Sequence, residues 1–343
     1  MLPHLMPMLH LGAMAFAAAL AVSGFMIAAG VGDIPNNRSN HSAATPTSGG
    51  LGLVAALGIM CLGAGLFYPQ FGLGPELPFL LALAFAIAAL GLFDDIFEGR
   101  TLIKFALIIG IGALAVRVIG PPAALPIGAY EIALPYGVGL AGAVLWIFVC
   151  VNGINFMDGA NGFMGSFMLI ASITLTMLAM TLGAMTAAVL AGALTFGLLG
   201  FLPYNFRRKA QIFCGDVGSL LVGFIFAIAL LLLVKGAPDF QLLYVGPILL
   251  LPFLADIFTT MVSRLKRKEN LLAAHSSHLY QRLIRAGWSH GKVSMVYMAA
   301  GLLCANIAVF AVFSGMIGSL WGLLLLALLA GVIKVQVEQR LKN

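Results

Sequence analysis

Charge is scarce in this sequence. Only 9% of its 343 residues are aspartate, glutamate, lysine or arginine, whereas 62% are hydrophobic. A soluble domain usually contains about 25% charged residues and about half apolar residues. The mean hydropathy here is +1.07. So few charges cannot cover a surface exposed to water, which excludes a soluble fold and predicts a membrane protein.

Cysteine is scarce as well. The four cysteines, Cys61, Cys150, Cys214 and Cys304, show no CxxC spacing, so the sequence indicates neither a disulfide framework nor a zinc site, and buried free thiols are expected. The net charge of +6 is not carried by basic residues interleaved with aromatics, so no nucleic acid is expected as a partner. The basic residues indicate contact with anionic membrane lipid instead.

Long apolar runs dominate the chain. Most approach the ~20 residues that cross a bilayer core of about 30 Å. They lie at 9–31, 50–67, 77–93, 101–119, 138–151, 163–181, 183–202, 218–235, 241–262, 292–314 and 317–334. The sequence therefore predicts an all-α integral membrane protein, a single polytopic domain over 1–343 with about eleven transmembrane helices. Because Met1 to Gly30 lacks a basic n-region, it is predicted to be a retained first helix.

The basic residues sort the loops into two sets. Every lysine and arginine except Arg117 and Lys235 falls in one set of alternating loops. The positive-inside rule makes that set cytosolic, with the N-terminus outside and the C-terminus in the cytosol. The longest outer loop, near 120–137, has prolines around Ile127 to Leu134, a pattern that predicts a small hairpin.

The segment from Asn152 to Gly162 is unusually polar for its surroundings. Between two apolar runs it contains three carboxamides, at 152, 155 and 161, the carboxylate of Asp158 and three glycines. Such groups survive at membrane depth only where they line water, protein or a ligand. The segment therefore predicts the floor of an active site.

Acidic residues number only twelve, and four of them, Asp94, Asp95, Asp158 and Asp216, are predicted at cytosolic helix ends. The adjacent carboxylates of Asp94 and Asp95 repel each other unless one takes up a proton or a cation binds. Because their neighbours are apolar, the pair is expected to be buried near a site. The alternative is a solvated pair at a helix end.

Gly215-Asp-Val-Gly-Ser219 places a carboxylate and a hydroxyl at the predicted start of a helix. Backbone N–H groups and the helix dipole favour phosphate or a metal-phosphate complex there. The alternative is ordinary N-capping by Asp216 or Ser219. Phe213 lies just before this segment and offers a flat face for a base.

His275-Ser-Ser-His278-Leu-Tyr-Gln-Arg282 lies in the longest cytosolic loop. A helix over this segment would place His275, His278 and Arg282 on one face, where imidazole and guanidinium groups bind phosphate. The alternative is a basic amphipathic helix on the membrane surface. Zinc is not indicated because no third ligand lies nearby.

Five elements follow one another along the chain. They are D-x-P-x-x-R-S-x-H from Asp33 with T-P-x-x-G-G from Thr45, the Asp94-Asp95 pair, N-x-x-N-x-x-D-G-x-x-G from Asn152, G-D-x-G-S from Gly215, and H-x-x-H-L-Y-Q-R-L from His275. Together they resemble the polyprenyl-phosphate N-acetylhexosamine-1-phosphate transferases of glycosyltransferase family 4. The likeness covers residues 33 to about 285, within a catalytic core predicted at about 33–293.

The resemblance implies transfer of a sugar 1-phosphate from a UDP-sugar to undecaprenyl phosphate, with release of UMP. The sugar would be an N-acetylhexosamine or an N-acetylated 6-deoxyhexosamine. The resemblance also implies a Mg²⁺ cofactor, with Mn²⁺ as the alternative ion, in a site that faces the cytoplasm at the bacterial inner (plasma) membrane. A divalent cation and basic side chains would spread the charge of two approaching phosphates.

The resemblance further implies binding roles for individual residues. Asp216 and Asp158 would bind the metal, and Phe213 would stack on the uracil. Lys104 would meet a phosphate. The three amides of the polar segment would line the nucleotide and metal site, namely Asn152, Asn155 and Asn161.

The remaining roles concern the reacting phosphates. Asp94 or Asp95 would orient or deprotonate the lipid phosphate, and His275 and His278 would hold the diphosphate or its leaving group. A triple histidine is typical of the peptidoglycan translocase that forms lipid I. Because this chain has His275-Ser-Ser-His278 instead, it resembles more closely the initiators of O-antigen and surface-polysaccharide synthesis.

Two alternatives stay open. One is the lipid I-forming translocase of the same family. The other, from a different class, is a cation-coupled transporter, which should hold its charges near the bilayer midplane on broken helices. Only Asp256, four residues after Pro252, is predicted to lie deeper in a span. A homodimer is compatible with the sequence.

Overall fold

The computed structural model of the protein describes residues 2–30, 46–97, 99–127, 130–237, 239–270 and 275–314, together with positions 323, 327, 331 and 337. The motif from Asp33 to His41 lies outside the described residues. So does almost all of the eleventh predicted span, at 317–334. The remaining predicted spans and site residues can be compared with the structure.

The described chain is a bundle of helices with one short hairpin. The helices are α1 (Leu2–Ala29), α2 (Gly50–Phe67), α3 (Leu77–Phe97), α4 (Thr101–Ile119), α5 (Tyr136–Phe156), α6 (Phe163–Thr181), α7 (Met185–Asn205), α8 (Gly215–Gly236), α9 (Val245–Leu249), α10 (Leu251–Lys266), α11 (Leu279–Arg285) and α12 (His290–Phe313). In the ranges described, nine helices are long and apolar enough to cross a membrane. The protein is therefore a multi-pass, mostly helical membrane protein.

The ninth predicted span, 241–262, is not one straight helix. The structure divides it at Leu250 into residues 240–249 and 251–266, which are bent by 72° relative to each other. Pro252 occupies the first turn of α10, where it can start a helix but cannot continue one from the preceding residues. The structure therefore has a bent pair of helices where the sequence predicts a single span. A hydropathy window detects the apolar composition of such a segment but not its bend.

Helix α8 forms the centre of the bundle. It packs against α2, α3, α5 and α7, and every residue from 217 to 234 is buried. Its sequence is apolar on all sides, which is the pattern of a helix that is surrounded by others. The end of α3, the start of α4 and the end of α5 lie next to the first turn of α8.

The predicted hairpin is confirmed. Strands β1 (Ala124–Ile127) and β2 (Tyr130–Ala133) pair antiparallel, with Ala124 opposite Ala133 and Ile127 opposite Tyr130. The Tyr244 hydroxyl donates to the Pro126 carbonyl and fixes the hairpin to the segment before α9. The hairpin lies at the end of the bundle opposite the start of α8.

Candidate active site

The ends of three other helices meet the start of α8. Asp94 and Asp95 lie in the last turn of α3, and Lys104 lies in the first turn of α4. Asn155 lies in the last turn of α5, and Asp216 lies in the first turn of α8. The structure thus brings five of the residues singled out from the sequence into one cluster.

Lys104 is at the centre of this cluster. Its Nζ donates a hydrogen bond to Asp94 Oδ2 at 2.7 Å and another to Asp216 Oδ2. The side chains of Lys104, Asp94 and Asp216 are only 12%, 19% and 27% exposed. Because water screens these ion pairs less than pairs on an open surface, they are stronger. One ammonium group therefore joins two carboxylates that are 122 residues apart in sequence.

Asn155 orients the other oxygen of Asp216. Its Nδ2 donates to Asp216 Oδ1 at 2.7 Å and to Ser219 Oγ at 2.9 Å. Ser219 Oγ in turn donates to the Gly215 carbonyl at 3.0 Å. With one oxygen bonded to Lys104 and the other to Asn155, the carboxylate of Asp216 has a defined orientation.

Asp95 has a different position from Asp94, although the two are adjacent in sequence. Its Oδ1 accepts the Asp216 N–H at 2.9 Å, and its Oδ2 accepts the Val217 N–H at 3.2 Å. Amides in the first turn of a helix have no acceptor within the helix, and a carboxylate there also interacts favourably with the helix dipole. Asp95 therefore caps α8 and supports the backbone of Asp216.

The expectation that both members of this pair are buried is wrong for Asp95. Asp94 is half-buried, whereas Asp95 is exposed at the rim of the cluster. The apolar neighbours Phe93, Ile96 and Phe97 are 53%, 61% and 65% exposed. They face away from the protein, so their apolar character reflects the membrane boundary and not burial within the bundle.

The loop at 46–50 runs beside the segment that leads into α8. The Phe213 N–H donates to the Pro46 carbonyl at 2.7 Å, and the Gly49 N–H donates back to the Phe213 carbonyl at 2.9 Å. Phe213, the predicted uracil-stacking residue, is half-buried just before α8. The described end of the first loop motif, residues 46–50, thus lies beside the segment that leads to Asp216.

Gly215 is the point where the chain turns into α8. Its φ of +71° lies in the left-handed region, and a Cβ there would lie 2.1 Å from the Thr47 carbonyl oxygen and 2.7 Å from Asp95 Oδ2. Both the backbone angle and the lack of space require glycine. The Gly-Asp order in the sequence therefore has a structural cause.

Asp158 lies in the turn after α5. Burial, followed by the nearby charges of Asp216 and Asp95, raises the pKa of Asp158 to about 8. Within the described part of the chain no hydrogen-bond donor reaches its carboxylate. A desolvated carboxylate beside two others favours a cation as its partner.

The cluster fits a divalent cation that takes few ligands from protein. No group of three or more histidine, cysteine, aspartate or glutamate side chains in the described ranges forms a complete metal cage. Mg²⁺ usually binds through one or two carboxylates and completes its shell with water and substrate phosphate. Asp158 and Asp216 could supply that number of carboxylates. Burial first, and then the charges of Asp216 and Asp95, raises the pKa of Asp158, and a bound cation would offset the charge of these carboxylates.

His275 and His278 precede α11 and do not lie in it. His278 is the N-cap residue with an extended backbone, and its N–H donates to Gln281 Oε1 at 3.2 Å. The expectation of one helical face carrying both histidines and Arg282 is therefore wrong. The two rings are nevertheless neighbours, with centroids 4.8 Å apart, while Arg282 is half-buried on α11.

His275 is electrically neutral at neutral pH. Burial, with the neighbouring His278 and Arg264, lowers the pKa of His275 to about 4. Its Nδ1 lies 3.0 Å from Ser277 Oγ and accepts the Ser277 N–H at 3.4 Å. His275 can therefore hydrogen-bond a phosphate but does not add a positive charge.

Tyr280 connects the histidines with the turn that carries Asp158. Its hydroxyl donates to the Phe156 carbonyl at 3.1 Å, and a Cβ on Gly159 would lie 2.2 Å from that hydroxyl. The His278 ring stacks near Phe156, with centroids 6.1 Å apart. Since Phe156 directly follows Asn155, His278 lies beside the helix end that carries Asn155.

The other two amides of the polar segment face protein backbone. Asn152 Nδ2 donates to the Phe148 carbonyl of its own helix at 2.8 Å. Asn161 Nδ2 donates to the carbonyls of Arg207 and Arg208 at 3.0 and 3.2 Å, and its N–H donates to His290 Nδ1 at 3.1 Å. Asn161 thus connects the Asp158 turn, the loop after α7 and the start of α12. The predicted nucleotide contacts of these two amides stay predictions.

Sequence reasoning assigned no role in the site to two residues that organise this region. His290 accepts the Asn161 N–H, and Asp256 accepts the N–H groups of Leu279 and Tyr280. The only signal for Asp256 was a carboxylate within an apolar run. His290 gave no signal, because a lone histidine at a helix start has many explanations.

Comparison with known proteins finds one matching family model and several named relatives. Residues 77–234 match the model of Glycosyl transferase family 4. The chain is 27% identical over 295 residues to a Bacillus subtilis protein named probable undecaprenyl-phosphate N-acetylglucosaminyl 1-phosphate transferase, covering 84% of this chain and 79% of that one.

Two further relatives have related names. An Escherichia coli undecaprenyl-phosphate alpha-N-acetylglucosaminyl 1-phosphate transferase is 25% identical over 313 residues, covering 88% of this chain and 82% of its own. An Enterococcus faecalis phospho-N-acetylmuramoyl-pentapeptide-transferase is 26% identical over 288 residues, covering 78% and 84%. The matched range contains Asp94, Asp95, Lys104, Asn155, Asp158 and Asp216. Residues 77–234 are therefore similar to Glycosyl transferase family 4, and this matched range contains the carboxylate cluster.

Proposed function

We propose that the protein transfers a sugar 1-phosphate from a UDP-sugar to undecaprenyl phosphate and releases UMP. The proposed sugar is an N-acetylhexosamine or an N-acetylated 6-deoxyhexosamine, and the proposed role is initiation of an O-antigen-type cell-envelope polysaccharide. The observation that carries the proposal is the contact of Lys104 with both Asp94 and Asp216. It occurs in a membrane domain whose relatives are named as such transferases.

In this reaction an oxygen of the lipid phosphate forms a bond to the phosphorus that bears the sugar. The bond between that phosphorus and the oxygen shared with the uridine phosphate breaks, and UMP leaves with the electron pair. Both reactants are anionic, so the site must offset their repulsion. Removal of a proton is a smaller requirement, because a phosphate monoester has a second pKa of about 6.

Lys104 is the residue best placed to meet an incoming phosphate. Asp94 and Asp216 hold its ammonium group between them. Asp94 Oδ1 also accepts the Gly99 N–H at 2.9 Å, so both oxygens of Asp94 already have donors. That arrangement favours an orienting role for Asp94 over the role of a base. His278, beside Phe156, is assigned to the diphosphate or the leaving group.

Mg²⁺ is the proposed cofactor, with Mn²⁺ as the alternative ion. Asp216 and Asp158 would hold it, and when bound it would offset the charge of the donor diphosphate. Asn155 orients Asp216 for this role through the 2.7 Å hydrogen bond to its Oδ1. Asp158 would give up the proton that its raised pKa retains near neutral pH.

The site is proposed to face the cytoplasm at the bacterial inner membrane. In the described ranges, every lysine and arginine other than Arg117 and Lys235 lies toward the end of the bundle that carries the cluster. Such an excess of basic residues is typical of cytosolic loops. The two exceptions lie at the ends of α4 and α8 that point away from the cluster.

The test is a donor panel with purified protein, Mg²⁺ and undecaprenyl phosphate, in which each UDP-sugar is labelled in its sugar. We expect labelled lipid with at least one UDP-N-acetylhexosamine, and none when undecaprenyl phosphate is omitted. Product only with UDP-N-acetylmuramoyl-pentapeptide would replace the polysaccharide role by the lipid I-forming alternative. No labelled lipid with any donor would contradict the proposed reaction.

A further inference from the structure

Asp256 is a buried carboxylate outside the matched family domain. It lies in α10, just beyond the bend, and is 2% exposed. An ionised carboxylate at such a position is costly unless donors satisfy it. The hydrogen-bond donors that satisfy this carboxylate therefore indicate its structural role.

Four donors from three parts of the chain converge on this carboxylate. Oδ1 accepts the Leu279 N–H at 2.8 Å and the Thr260 hydroxyl at 3.1 Å. Oδ2 accepts the Tyr297 hydroxyl at 2.8 Å and the Tyr280 N–H at 3.2 Å. Thr260 is one turn further along the same helix, so the other contacts are the ones that join α10 to α11 and α12.

Two of these donors are the first amides of α11. This helix has only seven residues, and its first N–H groups need acceptors from elsewhere. The N–H groups of Leu279 and Tyr280 donate to the carboxylate of Asp256, which lies 23 and 24 residues earlier in the chain. The start of α11 is therefore fixed to α10 by Asp256 and not by a local side chain alone.

The residues on either side of this contact reach the active site. His278 immediately precedes α11, is 3% exposed, and its Nδ1 lies 3.7 Å from Asp256 Oδ1. Its ring stacks near Phe156. Tyr280, the second residue of α11, donates its hydroxyl to the Phe156 carbonyl at 3.1 Å. Movement of the Asp256 carboxylate would thus be transmitted to both contacts with the α5 terminus.

We propose that Asp256 is a positioning residue that sets the His278 imidazole relative to the carboxylate cluster during sugar-phosphate transfer. It does so by holding the first two amides of α11 and by facing His278 Nδ1. This inference rests on the proposed function. It assigns Asp256 no contact with substrate.

The test is a double-mutant cycle between Asp256 and His278, measured as kcat and KM for the donor. If Asp256 acts through His278, Asp256→Asn lowers kcat by about 100-fold in the wild-type background, because a displacement of about 1 Å is that costly. The donor KM should change little, since this proposal places the His278 contact on the leaving group in the transition state. In the His278→Ala background the same substitution should lower kcat by less than about threefold. An equal factor in both backgrounds, or no effect in either, would overturn the inference.

Hydrogen exchange provides a second readout that does not need high activity. Asp256→Asn should speed exchange at Leu279 and Tyr280 while the segment from Asp94 to Lys104 keeps its wild-type rate. Asp256→Glu, which keeps the charge and shifts it by one methylene, serves if the asparagine variant does not fold. Faster exchange throughout the protein would contradict a local positioning role. So would an unchanged exchange rate at α11.

Asp239 offers a matched control. It also caps a helix start, accepting the Gln241 N–H at 2.8 Å, but it lies near the hairpin at the other end of the bundle. Asp239→Ala, which removes the acceptor, should leave kcat unchanged, and a loss equal to that of Asp256→Asn would show that loss of any cap slows the enzyme. Failure of the proposed function is distinguishable, because it would appear as inactivity of the wild-type protein.

Discussion

The Lys104 ammonium lies between the carboxylates of Asp94 and Asp216 and hydrogen-bonds to both. Asp94 comes from the end of α3 and Asp216 from the start of α8. A single positive charge therefore joins the helix ends at the point where, in the proposed reaction, two phosphates approach. Its removal should affect the reaction more than the fold.

Lys104→Met is predicted to lower the transferase rate by about 100-fold or more, because loss of one preorganised electrostatic contact typically has that effect. The matched control is Lys235→Met. Lys235 also pairs with a carboxylate, Glu76 Oε1 at 3.0 Å, but at the far end of the bundle. Steady-state transfer assays should show a near-normal rate for the control; equal losses in the two variants would contradict the role assigned to Lys104.

Asp94 and Asp95 are predicted to differ in what they support. Asp95→Asn places an amide NH2 against a backbone N–H of α8 and should lower stability by about 1–2 kcal/mol as a lost helix cap. Asp94→Asn should reduce transfer while changing the midpoint of thermal unfolding less, since its backbone partner, Gly99, is exposed. Thermal unfolding in detergent measures the midpoints of both variants, and a transfer assay measures their rates. A larger destabilisation by Asp94→Asn would show that the assignment is reversed.

Gly215→Ala is predicted to prevent correct formation of the site. The positive φ alone costs about 1–2 kcal/mol for a residue with a side chain, and the added Cβ also meets the Thr47 carbonyl at 2.1 Å. Gly72→Ala separates these effects, because Gly72 has a φ of +57° with nothing within 4 Å of its Cβ position. Folded yield and transfer rate should fall sharply for Gly215→Ala and little for Gly72→Ala. Similar behaviour of the two would mean that crowding at Gly215 is not decisive.

The lowered pKa of His275 predicts a pH dependence of stability. The unfolded chain binds a proton at His275 below pH ~6.5, whereas the folded chain does so only near pH 4. Between these values the unfolded state binds more protons, so stability falls as the pH falls. His275→Gln cannot titrate and should lose less thermal stability than the wild type between pH 7 and pH 5. An identical loss in both proteins would contradict the neutral state of His275.

The sequence predicted the membrane fold well, because long apolar runs have a direct physical meaning. It did not predict the 72° bend at Leu250, since the runs on both sides of Pro252 are equally apolar. The ordered motifs singled out Asp94, Asn155 and Asp216, and the family resemblance added Lys104. They could not separate Asp94 from Asp95, because successive helix residues point about 100° apart and only the position of α8 decides which one caps it.

The contacts of Asp256 show a second limit on what can be predicted from the sequence. Its donors at Leu279 and Tyr280 are backbone amides, which every residue type except proline provides, so no side-chain pattern reveals the contact. The same applies to Asn161 and the carbonyls of Arg207 and Arg208. Side-chain chemistry can be predicted from sequence, whereas pairing of a side chain with distant backbone requires the fold.

The most direct test of the central claim is the fate of the phosphate that bears the sugar. Wild-type protein and Asp216→Asn are incubated with Mg²⁺, undecaprenyl phosphate and a UDP-N-acetylhexosamine carrying ³²P at that phosphate. The account predicts that the wild type moves the label into lipid and releases unlabelled UMP, while Asp216→Asn does so at least about 100-fold more slowly. Label retained in the nucleotide while sugar enters the lipid, or an unchanged rate for Asp216→Asn, would contradict it.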